Sequence, residues 1–280
     1  MKLHTIDTGY FKLDGGAMFG VVPKTMWQKL NPPDANNMCT WSMRCMLIED
    51  GKQLILIDTG LGNKQDEKFF SRYEPHGDAS LEKSIKALGY SFDDVTDVLL
   101  SHLHFDHCGG AITRNTNGNL VPTFENATYW SNEKHWEWAT KPNEREKASF
   151  LKENILPIQE SGQLKFAEDG STAINPNITL RTVSGHTESM FTPLIKVGDK
   201  TIAYCADLFP SMAHIPLPYV MAYDTRPLLT LDEKKKFLEE AINNNYYLFF
   251  EHDRTVELCS LKQTDRGVRE DAVLRLSELV

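Results

Sequence analysis

Apolar positions along this chain follow two rhythms, and the change from one to the other marks the elements. Short continuous or alternating runs read as strands: "KLHTI", "AMFGVV", "SMRCMLIE" and "QLILID" before residue 60, then "VTDVLLSH", "ATYW", "QLKFAE", "ITLRTVS", "TPLIKVG", "KTIAYCAD" and "YYLFFEHD". Glu49-Asp50-Gly51-Lys52 and Val197-Gly198-Asp199-Lys200 carry hairpin-turn chemistry between neighbouring runs. Helical spacing marks "KQDEKFFSRY" and "SLEKSIKALGY", the second capped by Ser80 and closed near Gly89. It marks "SNEKHWEWAT" with Ser131 as cap, and "NEREKASFLKENILPI" up to a stop at Pro157. "TLDEKKKFLEEAINNN" reads as a helix capped by Thr230, with Asp232 and Glu233 near the positive end of its dipole. "DRGVREDAVLRLSELV" reads as a closing helix, and residues 111–126, rich in Asn, Thr and Gly, as loop.

Strands, helices, strands and helices follow one another roughly twice, without strict βαβ alternation. That order fits two sheets packed face to face with helices outside better than a doubly wound parallel sheet. A length of 280 residues suits one large core, so residues 1–280 are expected to form a single domain.

Charge and cysteine content narrow the function. The formal net charge of −9 repels nucleic acid, and Lys234-Lys235-Lys236 sits among Asp232, Glu233, Glu239 and Glu240 as one solvated helix face. Five cysteines without a Cys-x-x-Cys pair argue against a disulfide framework and a thiolate zinc site, and for a reducing compartment. The N-terminus lacks the apolar core of a signal peptide, and no apolar run approaches the roughly 20 residues of a membrane span. The expectation is a cytoplasmic protein without membrane or nucleic-acid partners.

One stretch carries concentrated chemistry. "LLSHLHFDHCGG" places His102, His104, Asp106 and His107 directly after an apolar run. A strand ending at Ser101 sends His102 and His104 off on the same side, toward one ion. Asp106 and His107 follow as the chain turns, facing a second ion at the roughly 3.5–4 Å separation of two-metal sites. Gly109 and Gly110 let the backbone pass close beneath. Three further candidates each follow a strand run: His186, Asp207 and His252. Imidazole and carboxylate without thiolate suit zinc, iron, manganese or cobalt, and nitrogen-rich ligation favours zinc. His4 and His76 read as structural or exposed, His135 as packing.

"HLHFDH" with a later His, Asp and His resembles the metallo-β-lactamase-fold hydrolase superfamily, as do "SGHT" around His186 and "LILIDTGLG" around Asp58. The resemblance implies a four-layer αββα sandwich of two mixed sheets with outer helices. It implies that His102, His104 and His186 hold the first ion, that Asp106, His107 and His252 hold the second, and that Asp207 bridges them. Asp58 then orients a ligand histidine. A metal-bridging hydroxide attacks the substrate, with Asp106 orienting it and carrying a proton to the leaving group.

Asp207 stands where β-lactamases of this fold commonly carry cysteine, which disfavours a β-lactam. The ligand set, the size and an N-terminal segment bearing Met18, Phe19, Met26 and Trp27 resemble quorum-quenching N-acyl-homoserine lactonases. "DLFPSMAHIPLPYVMAYDTRPLLTLDEKKKFLEEA" also resembles the larger lactonase and organophosphate-hydrolase branch, so an organophosphate or aryl ester is the alternative substrate. Several lactonases carry tyrosine three residues after the bridging aspartate. Pro210 stands there in this chain, so His214 or Tyr223 is expected to hydrogen-bond the lactone carbonyl. The loop "PKTMWQKLNPPDANNM" exposes Met26, Trp27 and Met38, to be covered by the pocket or by a second copy in a homodimer.

Overall fold

In the computed structural model, which describes residues 1–279, the strand runs assemble into two six-stranded sheets. The first contains β1 (Lys2–Asp14), β2 (Met38–Asp50), β3 (Gln53–Ile57), β4 (Asp97–Leu99), β5 (Thr128–Ser131) and β6 (Leu164–Phe166), in that spatial order. β1, β2 and β3 are antiparallel, and β3 through β6 run parallel. The second contains β7 (Ile178–Thr179), β8 (Leu194–Val197), β9 (Lys200–Tyr204), β10 (Tyr247–Phe249), β11 (Leu258–Thr264) and β12 (Gly267–Leu274). Among the described residues its only parallel pair is β9 with β10.

The run in β2 shows why two sheets stack. Cys45, Met46, Leu47 and Ile48 are all fully buried. The two-residue period sends Met46 and Ile48 toward the second sheet, where they join Ile202, Tyr204, Leu248 and Leu258. Cys45 and Leu47 face the other way, under Leu81, Ile85, Trp136, Ala139, Ile155 and Ile158 of three outer helices. Burying each such side chain stabilises by about 1.5–3 kcal/mol. Helix Pro227–Asn243 packs Phe237, Leu238 and Ala241 against the second sheet. The architecture is the αββα sandwich. Among the described residues, no helix is long and apolar enough to cross a membrane.

Several elements differ from the sequence expectation. "AMFGVV" opens as a short helix, Gly15–Phe19, because the Asp14 carboxylate caps the Ala17 N–H at 2.8 Å. Residues 111–126 contain a small hairpin, Ile112–Arg114 with Leu120–Pro122. Helix Glu133–Thr140 is capped by Asn132, whose side chain accepts from the Lys134 and His135 N–H groups, not by Ser131. The helix expected from Asn143 forms only over Lys152–Glu160 and runs through Pro157. The preceding residues instead wind around the Asn143 side chain, which accepts from the Arg145 and Glu146 N–H groups. Thr230 caps nothing, since its helix already starts at Pro227. The closing helix shrinks to Leu276–Leu279; residues 265–274 form instead the turn and second strand of the β11–β12 hairpin. Gly267, at φ 87°, supplies the left-handed residue that this turn needs.

Candidate metal centre

Five backbone segments converge at one end of the interface between the sheets. β3 ends at Ile57, and Asp58 directly after it is held at φ 58° in the left-handed region that costs a non-glycine residue energy. The neighbouring parallel strand β4 leads to Ser101 and His102, and a short helix, Phe105–Cys108, begins just after His104. Close packing places this helix: a Cβ on Gly109 would lie 2.0 Å from the Leu61 carbonyl oxygen, so only glycine fits there. The second sheet delivers Asp207 after β9 and His252 after β10. His186 arrives from the turn after Thr182–Val183.

The donor atoms face inward in two groups, His102, His104, His186 with Asp207, and Asp106, His107 with His252. His104 Nδ1 lies 3.1 Å from both His102 Nε2 and His186 Nε2. His107 Nε2 lies 3.1 Å from His252 Nε2. Asp207 stands between the groups, its Oδ2 3.0 Å from His186 Nε2 and its Oδ1 3.2 Å from His252 Nε2. Asp106 Oδ2 is 3.6 Å from His252 Nε2. Asp207 Oδ1, although buried, has no hydrogen-bond partner among the described residues.

Three imidazole nitrogens in mutual contact cannot all be satisfied by each other's protons. A tetrahedral zinc with bonds of about 2.0–2.1 Å spaces its donors about 3.3 Å apart. The donor set therefore fits divalent cations. Asp207 is held well below the usual carboxylate range: burial opposes ionisation, but His186, His107 and His252 outweigh it. His102 is pushed well down by burial and by His107 and His104.

His107, His186 and His252 are also held from outside. Asp58 accepts from the Ser101 N–H (2.7 Å) and Ser101 Oγ (2.6 Å), and its Oδ2 lies 3.2 Å from His107 Nδ1. Glu251 Oε2 is 3.0 Å from the same nitrogen and accepts from the Tyr204 hydroxyl at 2.8 Å. Burial, reinforced by Asp58 and opposed by His107, pushes the Glu251 carboxyl up to about 8. His186 Nδ1 lies 2.8 Å from Asp224 Oδ1, and His252 Nδ1 donates to the Ser42 carbonyl at 2.8 Å.

A family model for the metallo-beta-lactamase superfamily matches residues 44–252 and takes in every one of these donors. The chain belongs to the metallo-beta-lactamase superfamily. The N-acyl homoserine lactonase AiiA of Bacillus thuringiensis subsp. kurstaki is 26% identical over 265 residues, covering 90% of this chain and 93% of its own. A probable metal-dependent hydrolase from Staphylococcus aureus is 28% identical and superposes with a TM-score of 0.88 over 98% of this chain and 96% of its own. AidC, a dizinc quorum-quenching lactonase solved with its product N-hexanoyl-L-homoserine, shares the fold at a TM-score of 0.79 and 22% identity, over 98% and 95% of the two chains. Family and donor set together make this superfamily member a metal-dependent hydrolase.

A cavity of about 240 Å³ opens on His104, Asp106, His186, Asp207 and His252. Leu13, Met18, Phe105 and Met221 form its apolar wall, and Arg145, Glu146 and Ser149 its polar one. Tyr223 lines it and is 38% exposed. His214 is not brought there. Its Nε2 donates to the Met18 carbonyl (2.9 Å), its Nδ1 lies 2.8 Å from Ser211 Oγ, and its ring stacks on Phe19 at 4.7 Å. With both nitrogens engaged in burial, His214 anchors the N-terminal segment and has no atom left for a substrate. His135 is similarly used up: it accepts from the Leu103 N–H at 2.9 Å, and its Nδ1 donates to the Glu188 carbonyl at 2.6 Å. A larger cavity, about 600 Å³ between Met26, Leu30, Pro216 and Arg269, touches none of the donor residues.

Glu251, Asp224 and Glu146 escaped the sequence reading. Glu251 had a signal, a carboxylate ending the wholly apolar "YYLFFE" beside a candidate ligand. Asp224 and Glu146 had none, since both sit in loops among ordinary polar neighbours.

Proposed function

We propose that this chain is a dinuclear zinc hydrolase that opens the lactone ring of N-acyl-homoserine lactones. The observation that carries the reading is the apolar wall of Leu13, Met18, Phe105 and Met221 standing directly beside the donor atoms. An acyl chain gains by burial there, while the ring sits over Asp106 and Asp207. Two divalent cations, when bound, would supply Lewis acidity and lower the pKa of a bound water. His102, His104 and His186 would hold one, Asp106, His107 and His252 the other, with Asp207 shared by both. Asp106, at the cavity floor, carries a proton to the leaving alkoxide. Tyr223, with Pro210 in the position of the usual tyrosine, donates to the lactone carbonyl. Leu13 and Met18 exclude water from the acyl chain.

Val21 (92% exposed), Met26 (52%) and Leu30 (53%) support a homodimer through the N-terminal segment, although Trp27 packs within its own chain against Phe19. Zinc-loaded protein should release one proton per turnover of hexanoyl-homoserine lactone in a pH-stat. Faster hydrolysis of paraoxon-like or aryl esters than of any lactone would overturn the substrate in favour of the organophosphate and aryl-ester alternative, leaving the metal reading intact.

A further inference from the structure

Four of the five imidazoles turn a δ nitrogen outward, and each of those nitrogens meets an oxygen: Ser101 Oγ for His102, Asp58 and Glu251 for His107, Asp224 for His186, and the Ser42 carbonyl for His252. His104 is reversed. Its Nδ1 faces the centre and its Nε2 points away. The atom opposite is Glu146 Oε1, 3.6 Å off. Both atoms are buried, and neither has a hydrogen-bond partner among the described residues. The other Glu146 oxygen is occupied, accepting from Trp138 Nε1 and Asn143 Nδ2, each at 2.7 Å.

A neutral imidazole that offers its Nδ1 lone pair must carry its proton on Nε2. In this burial that N–H needs an acceptor, and Glu146 is the one in reach. We infer that Glu146 is a positioning residue: its carboxylate accepts the His104 Nε2–H, fixes the tautomer that presents Nδ1, and thereby strengthens the hold of His104 on the first ion. The inference rests on the metal reading of the centre and not on the choice of substrate.

Three donors converge on this side chain, so both of its oxygens must accept. An amide cannot meet that demand, because one end of it would place N–H against N–H. Glu146→Gln is therefore the informative isostere. Trp138→Phe removes a donor from the far oxygen and leaves His104 untouched.

The experiment measures zinc affinity by competition with a chromophoric chelator, and follows the exchangeable imidazole N–H resonances of cobalt-loaded protein. Wild-type protein that binds no zinc would refute the metal reading itself. Given binding, E146Q should weaken the first ion about 10- to 100-fold, the range for losing an outer carboxylate partner of a ligand histidine. W138F should stay within about twofold. Equal losses in E146Q and W138F would reduce Glu146 to a prop for its own loop and overturn the inference, as would unchanged affinity in E146Q. The cobalt measurement needs no variant. The His104 Nε2–H should exchange slowly in wild type, as a proton held by a carboxylate does, and rapid exchange with water would equally overturn it.

Discussion

The two flanks of the metal centre are built from different material. His107 is braced by Asp58, Glu251 and Tyr204, all within or directly after strands β3, β9 and β10 and all buried. His104 and His186 are braced by Glu146 and Asp224, which belong to loops. Those loops are tied to each other, since the Arg145 guanidinium donates to the Ala222 and Asp224 carbonyls. The strand-held flank is fixed once the sheets stack. The loop-held flank depends on a few side-chain contacts and shares Arg145 and Glu146 with the cavity.

Removing the cations tests what both flanks have in common and should have the largest effect. Chelation should bring ester hydrolysis to background, with recovery on adding zinc. Next comes the contrast in stability. Asp58→Ala leaves the Ser101 N–H and the Ser101 hydroxyl short of an acceptor and takes a buried carboxylate away from His107, and should cost about 3–5 kcal/mol in urea unfolding of the zinc-free protein. Asp224→Ala strands one ring nitrogen and should cost about 1–3 kcal/mol, while lowering metal affinity about 10- to 100-fold. Equal destabilisation by the two would erase the distinction between the flanks.

A smaller effect is expected at the cavity mouth. Tyr223→Phe should reduce kcat/KM about 5- to 10-fold, the equivalent of one hydrogen bond, without changing the melting temperature. The smallest concerns Lys234, which does not join the solvated face expected of Lys234-Lys235-Lys236 but is buried and donates to the His214, Pro216 and Tyr219 carbonyls ahead of Tyr223. Burial pushes its amine down to about 7, with Asp224 opposing. In the unfolded chain the amine titrates near about 10.4. Between these values the unfolded state binds more protons, so this group's contribution to stability rises with pH and is flat outside the window. From about pH 7 to about pH 10 the melting temperature of wild type should rise relative to that of Lys234→Met; parallel curves would remove Lys234 from the account.

What the sequence disclosed follows the same division. His102, His104, Asp106 and His107 sit within six positions, and strand ends bring up His186, Asp207 and His252, so local rules suffice to collect them. The face-to-face sheets were legible because runs such as that in β2 bury both sides. The C-terminal hairpin was not. "DRGVREDAVLRLSELV" has helix-compatible spacing, and only pairing with Leu258–Thr264, including the 3.1 Å contact of Lys262 with Asp271, draws it into a strand. Glu146 lies in "NEREK", which reads as solvated surface until folding sets it against His104.

Each sheet places two adjacent strands in the same direction, β3 with β4 and β9 with β10. Strands aligned in this way finish side by side, which is how Asp58 arrives next to His102, and Asp207 next to His252. The chain must then travel back the whole length of the sheet before it can begin the second strand of each pair. Those return journeys, residues 59–96 and 208–246, lie outside the strand pairing that aims Asp58, His102, Asp207 and His252, and the second of them also carries Asp224 to His186. Doubling the length of a flexible connection costs only about 0.6 kcal/mol. Such a scaffold can thus acquire new walls for new substrates while the strand-held flank of the centre stays in place.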